Sequence, residues 1–369
     1  MQAVVGLSKG VRIMRQRLDR NENNLFRKRI FATSMLFALL IPISILSICV
    51  GAYYIPFQNI FKILFSKGLD GGGAERIIIW EYRVPRTLVA IISGAVFAFS
   101  GAILQGVTRN PLVSPFTIGV SSAASFGAAL VIIAGIKILK IPLDLYALSG
   151  VTATALIAFT VAFVHTLLLL LIAYTRGLSP ESLVLSGIAL TYVYSAGITI
   201  LEYVAQESAL REYVYWIMGD LARVTWQRLY ITLVALLFLP PSIYKLAWSL
   251  NALALGEESA RSLGVDPRRV LVVVAVLASL LTAIVVSITG PIGFICLMAP
   301  HIARLVVGVD NRYLLPASIA VGASLLLLSD IVARIAIKPA ELPVSAVTNV
   351  LGVVFFLSLF LSKRKATWV

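Results

Sequence analysis

Apolar stretches long enough to cross about 30 Å of hydrocarbon follow one another from residue 30 to residue 362, with little polar sequence between them to build a separate soluble domain. Such stretches satisfy their backbone polar groups inside a membrane by forming helices. The lengths and breaks of the runs give ten spans, at roughly 30–54, 86–105, 115–135, 146–173, 182–204, 228–247, 270–289, 293–308, 314–333 and 344–362. The eighth is the least regular: it is short, contains Pro300 and closely follows Gly290-Pro291. The expected fold class is therefore an all-α polytopic membrane protein of about ten transmembrane helices. Composition agrees, since 59% of residues are hydrophobic and 13% charged, against about a quarter charged in soluble domains.

The first run is too long for a signal-peptide core and is not followed by a small-residue cleavage site, so it reads as a retained helix with the N-terminus inside. With ten spans, the inner segments hold 19 of the 31 Lys and Arg and the outer ones 12, the sense of the positive-inside rule. Both termini are then cytoplasmic, with a basic N-terminal extension over residues 1–29 and one transmembrane domain over 30–369. The net charge of +14 is scattered over loops and tails rather than gathered on one face with interleaved aromatics, which argues against nucleic acid and for anionic lipid. Leu7, Val11, Met14 and Leu18 recur at helical spacing beside Lys9, Arg12, Arg15 and Arg17. Residues 1–29 are accordingly read either as a helix on the inner leaflet or as a disordered basic tail. Cys49 and Cys296 both fall inside apolar runs, so neither a disulfide framework nor a metal-type spacing is expected.

Two groups of four spans, 86–204 and 270–362, flank the sixth. An odd number of crossings between them gives the groups opposite orientation, as an inverted-topology transporter repeat needs. The small residues Ser93, Gly94, Ala95, Ala98, Ser100, Gly101 and Ala102 read as a face for close helix packing. No GxxxxGK[ST] occurs, so this chain does not cradle a nucleotide in that way. His165 stands alone in the fourth span, where a hydrogen bond to a neighbouring helix is the expected role, and no set of nucleophile, base and orienting acid assembles. An intramembrane enzyme is the weak reading.

Charged and polar groups concentrate at span ends. Asn251 to Arg269 reads NALALGEESARSLGVDPRR. Asn251 is placed as a helix cap, Leu253, Gly256, Ala260 and Leu263 at 3-4-3 spacing, and Gly264 as the stop. A stripe of that kind must be buried, against its own bundle or against a partner. At the other end, Arg83 and Arg86 beside Trp80 and Tyr82 serve either as interfacial anchors or as a positive socket. Asp330 and Arg334 stand four apart and can pair, which leaves Arg334 either occupied or a third cation of that socket.

Four segments in order, RVPR…SGA…Q…RNPL…P…G, LGEE.A.SLGV, G.IGFICLMAPHIAR…G.D.R.LLP and D..AR…ELPVSAVTN.LG, resemble the FecCD-type permeases of ATP-driven importers for iron–siderophore complexes, haem and cobalamin. The resemblance covers residues 80 to 361. It implies a homodimer in the cell membrane, two cytoplasmic ATP-binding cassette subunits that hold ATP and magnesium, and an extracytoplasmic substrate-binding protein. No cofactor is expected on this chain. By resemblance, Arg83, Arg86 and Arg334 receive carboxylates of the binding protein. The loop 250–268, with Leu253, Leu255, Gly256, Glu257, Ala260, Leu263 and Gly264, is the coupling element on the ATPase, and His301 and Arg304 brace it. Gln105, Asn110 and Ser179 are pathway candidates, although the turn at Ser179 carries Pro180 and Glu181 where the family often has small hydroxylic residues. The expected function is inward movement of a metal chelate or corrinoid by alternating access, iron–siderophore first. The alternative is an ion-coupled secondary transporter, which would want a carboxylate at the midplane of a broken helix.

Overall fold

The computed structural model describes the backbone of residues 2–51, 53–65, 73–135, 150–338 and 340–361, with side chains from residue 24 onward except 65 and 150–152. The stripe of Leu7, Val11, Met14 and Leu18 lies outside the described side chains. All regular elements among the described residues are helical. They are α1 (Gln2–Cys49), α2 (Phe57–Phe65), α3 (Ala74–Ile77), which runs through a π turn (Ile78–Arg83) into α4 (Val84–Thr108), α5 (Val120–Ile132), α6 (Gly150–Thr175), α7 (Pro180–Val204), α8 (Glu207–Ile217), α9 (Trp226–Leu236), α10 (Leu239–Ala254), α11 (Glu257–Ser262), α12 (Pro267–Thr289), α13 (Ile295–Val307), α14 (Asn311–Ile335) and α15 (Val344–Leu361).

Eight helical stretches are long and apolar enough to cross a membrane, and α5 and α13 are shorter apolar helices. Together they occupy the ten expected positions. α1 is helical from Gln2, so the backbone of the N-terminal extension continues the first span without a break.

The third span is shorter than the expected 115–135. Pro111 and Pro115 lack a backbone donor and bias the residue before each of them away from helix, so α4 ends at Thr108 and α5 begins only after Gly119. Gly290-Pro291 does the same between α12 and α13. Irregular backbone survives at membrane depth only where protein covers it, and Val113, Ser114, Ile118 and Ile292 are buried. In the first break the buried His165 Nε2 donates to the Ile118 carbonyl at 2.8 Å; the hydrogen bond expected of that lone histidine is present, but it goes to the break rather than to a neighbouring helix. In the second, Asp220 N donates to the Thr289 carbonyl at 2.8 Å.

These two breaks mark a structural repeat of the two quartets. Each quartet consists of a long helix, an irregular break, a 13-residue helix that starts from a left-handed residue (Gly119 or Phe294), then two long helices. α4 packs on α14 as α12 packs on α6; α5 lies on α6 as α13 lies on α14; α4 and α12 touch between them. Exchanging the quartets maps each of these contacts onto another. α9 and α10 complete the bundle between the quartets, and α1 lies along α14.

The small face of α4 is the centre of this packing. A Cβ on Gly94 would collide with the Gly322 carbonyl of α14, and one on Gly101 with the Cys296 carbonyl of α13. Without a hydrophobic driving force between helices in lipid, such close backbone approach supplies much of the association.

Candidate functional site

Two polar clusters close opposite ends of the bundle. At one end the last turn of α1 presents carbonyls that have no donor within the helix. Arg83, from the π turn, donates through Nη1 to the Ile48 and Cys49 carbonyls at 2.8 and 3.1 Å and through Nη2 to that of Tyr53. Arg334 of α14 donates through Nη1 to the Ser47 and Val50 carbonyls at 2.8 and 2.9 Å, and through Nη2 to Ser47 Oγ at 2.7 Å. Two cations thus cap one helix C-terminus, where the helix dipole favours positive charge.

Asp330, fully buried, joins this cap to the third arginine. Its Oδ1 accepts from Arg86 Nε at 3.0 Å and Nη2 at 2.8 Å. Its Oδ2 stands 3.0 Å from Arg334 Nη2, an ion pair whose angle falls outside hydrogen-bond geometry. The expected pairing across one turn of α14 is present. The remaining arm of Arg86, Nη1, donates to Glu341 Oε2 at 2.7 Å. Glu341 lies between α14 and α15 and was not singled out from the sequence; its only signal there is that ELPV follows the DxxAR segment closely.

The structure therefore brings Arg83, Arg86 and Arg334 together around a cavity of about 280 Å³ that Tyr53 and Glu341 also line. Of the two readings left open for Arg334, the occupied one holds. Arg83 and Arg334 are 5% and 2% exposed, because the orphan carbonyls of α1 are nearer and better aligned acceptors than water. Trp80, in the same π turn as Arg83, stacks on Trp226 with ring centroids 6.4 Å apart.

At the opposite end, the loop expected over 250–268 is partly helical. Asn251 does not cap its own segment, since α10 continues through it to Ala254. Its amide instead serves the next element in space: Nδ2 donates to Asp310 Oδ1 at 2.8 Å, and Oδ1 accepts from Asn311 N at 2.9 Å. Asn251 is thus a helix cap supplied from elsewhere, to the N-terminus of α14. Asp310 also accepts from Arg312 N at 3.0 Å and lies 3.7 Å from Arg29 Nη1. Burial pushes the Asp310 carboxyl up, but hydrogen bonds from Arg312 and Asn251 outweigh that and hold it below the usual carboxylate range.

The apolar stripe of the loop is split. Leu253 and Ala260 are buried against the bundle, whereas Leu263 is 49% exposed; Leu255, which is not part of that stripe, is 68% exposed. The cause is Gly256, whose φ of +104° turns the chain between α10 and α11 through a region that other residues enter only with strain, so the two helices do not share one face. Gly264, with φ of +82°, follows α11 as expected. Glu257 lies 3.6 Å from Arg109 and 3.6 Å from Arg261, which ties the loop to the end of α4.

His301 and Arg304 were expected to brace this loop. Arg304 instead reaches α4, donating to Gln105 Oε1 at 3.3 Å while Gln105 Nε2 donates to the Cys296 carbonyl at 3.3 Å. The His301 ring packs edge-on against Phe355 of α15. Asn251, Asp310 and Arg109 tie the loop to its neighbours. Of the pathway candidates, Gln105 bridges α4 and α13, and Asn110 Oδ1 accepts from Leu112 N within its own turn at 2.9 Å. Ser179 caps α7 through a reciprocal pair with Ser182. Ser179 also lines a cavity of about 190 Å³ with Arg109, Leu253 and Glu257. Among the described residues there is no group of His, Cys, Asp and Glu able to hold a metal ion.

The model of the FecCD transport family matches residues 38–362. The chain is 36% identical to the Fe(3+)-citrate import system permease protein YfmE of Bacillus subtilis, over 90% of this chain and 95% of that one. It is 38% identical to the vitamin B12 import system permease protein BtuC of Klebsiella pneumoniae, over 88% and 92%. A solved metal-chelate-type ABC transporter in an inward-facing conformation superposes with a TM-score of 0.76 at 31% identity, covering 89% of this chain and 98% of that one.

Proposed function

The chain belongs to the FecCD transport family, and on that premise we propose that it is the membrane permease subunit of an ATP-driven importer for a metal-chelate, cobalamin or haem type of cargo. Among these an iron–siderophore complex is the first choice. Near-equal identity to permeases named for iron citrate and for vitamin B12 is the reason the cargo class stays broad. A path that must release a bulky molecule without gripping it leaves selection to a separate binding protein. The chain works as a homodimer in the cell membrane with both termini cytoplasmic, two ATP-binding cassette subunits on the inner side and the binding protein outside. ATP and magnesium are held by the cassette subunits, which supply the hydrolysis that this chain has no glycine-lysine loop to perform. The unburied apolar faces of α7 (Leu185, Tyr192, Val193) and α15 (Val350, Val354, Leu357) are what lipid and a second copy would cover.

The observation that carries the reading is the two-ended arrangement of the bundle. One end exposes Leu255 and Leu263 on a short helical element between two membrane helices, which suits docking into a groove of the cassette subunit. The other gathers three arginines around an open cavity, which suits an acidic partner and fixes its orientation more than its affinity. ATP-driven closure of the cassette pair moves the Leu255–Leu263 element and rocks the two quartets between outward- and inward-facing states. An ion-coupled transporter is disfavoured, since Asp330, the one fully buried carboxylate among the described residues, is held by two arginines.

Gly256→Leu tests this assignment in vesicles containing the chain, its cassette subunits and the binding protein. The site has open space around it, so the chain should accumulate and assemble, with strain of about 1–3 kcal/mol confined to the loop. Hydrolysis is expected to persist while uptake per ATP falls at least about tenfold, a loss of about 1.4 kcal/mol in coupling. Uptake at the normal ratio would remove the loop from the coupling path.

A further inference from the structure

We propose that Glu341 is an exchangeable internal carboxylate: it holds the outer arm of Arg86 until a carboxylate of the docking protein takes its place. The inference rests on the docking reading of this end and adds a competitor built into the chain itself.

The two carboxylates on Arg86 differ in how firmly they are held. Asp330 is part of a helix, fully buried, and shared between Arg86 and Arg334. Among the described residues Glu341 makes one ion pair, to Arg86 Nη1, and its side chain is 31% exposed. Its backbone is anchored independently, because Leu342 N donates to the Ala333 carbonyl at 3.0 Å. The Glu341 side chain can therefore swing into water by rotamer changes while the segment between α14 and α15 stays in place. A partly exposed ion pair has little net worth beside a buried one, so Glu341 is the member of this cluster that can leave.

The charge balance favours an incoming anion. Three arginines and Glu341 line the cavity, and Asp330 is buried behind Arg86 and Arg334, so the cluster as a whole carries an excess of one positive charge. Arg83 is bonded to carbonyls and has no carboxylate within 4 Å among the described residues. Release of Glu341 raises the excess to two. An acidic side chain entering the cavity of about 280 Å³ would meet Arg86 Nη1 and the uncompensated charge of Arg83. The same internal carboxylate keeps the socket from being left bare between dockings and lowers the affinity of each one, which suits a partner that must arrive and leave in every cycle.

The test titrates the fluorescently labelled substrate-binding protein of the same importer against the chain and its cassette subunits in nanodiscs at low salt. Glu341→Gln, which removes the competing charge and keeps the shape, should tighten docking about tenfold. Glu341→Asp, with the charge on a shorter arm, should tighten it less. Arg86→Ala should weaken docking at least about tenfold, and Glu341→Gln should have no effect in that background. Unchanged or weaker docking of Glu341→Gln, in a complex that still loses affinity on Arg86→Ala, overturns the exchange while leaving the socket standing. Docking untouched by Arg86→Ala removes the socket itself, and the exchange with it.

Discussion

Asp330→Asn will cost the fold about 3–5 kcal/mol, the range for breaking a buried ion pair by removing one partner. Asp330 is fully buried and, among the described residues, is the only carboxylate that touches both Arg86 and Arg334. Asparagine keeps the shape and loses the charge, so two guanidinium groups are left facing each other with Glu341 on the outer arm alone. The damage spreads to α1, whose last carbonyls depend on Arg334. Thermal unfolding of the purified chain in nanodiscs should show a large fall in midpoint. Combining Asp330→Asn with Arg86→Gln should recover part of it, since the charges then disappear together. A single-variant loss below about 1 kcal/mol, the level of an exposed pair, would contradict the clasp.

Gly94→Leu is expected to abolish accumulation of the folded chain. Overpacking a core side chain costs about 1–3 kcal/mol, and this position is worse placed, because even a methyl group on Gly94 meets the Gly322 backbone rather than a side chain that can turn away. α4 and α14 would have to separate along the contact on which both quartets are built. Gly73→Leu is the matched control, as nothing lies within 4 Å of a Cβ there. The readout is folded yield after membrane extraction, by size-exclusion profile. Normal yield of Gly94→Leu would mean that the α4–α14 contact does not hold the bundle.

Elements governed by local rules were legible in the sequence. The length of apolar runs placed all ten helices, and Gly290-Pro291 marked the irregular eighth. The small residues from Ser93 to Ala102 announced close packing. His165, alone in an apolar run, had to bond a neighbour, and Asp330 with Arg334 paired across one helical turn. What stayed hidden depends on partners far apart in the chain. Arg86 and Asp330 are separated by 244 positions and Asn251 and Asn311 by 60, and no local spacing predicts either bond. Asn251 illustrates how a correct rule misled: it does cap a helix, but one that begins at Asn311, because α10 had already absorbed the turn that Asn251 was expected to start. The stripe from Leu253 to Leu263 failed for a related reason, since the 3-4-3 pattern assumed one continuous helix and the backbone at Gly256 breaks it. The three arginines were found by their position at span ends, yet nothing in the sequence indicated that α1 ends among them with its carbonyls unpaired.

The proposed role of this chain is to form the path of an importer powered by ATP hydrolysis in partner subunits. The direct measurement is uptake of a radiolabelled iron–siderophore, haem or cobalamin into vesicles that contain the chain with its cassette subunits and are supplied with the binding protein. Uptake is expected only when ATP and magnesium face the cassette subunits and the binding protein is present on the opposite side. Uptake should stop with a non-hydrolysable ATP analogue and be indifferent to proton and sodium gradients. Uptake by the chain alone, driven by either gradient without ATP, would contradict it.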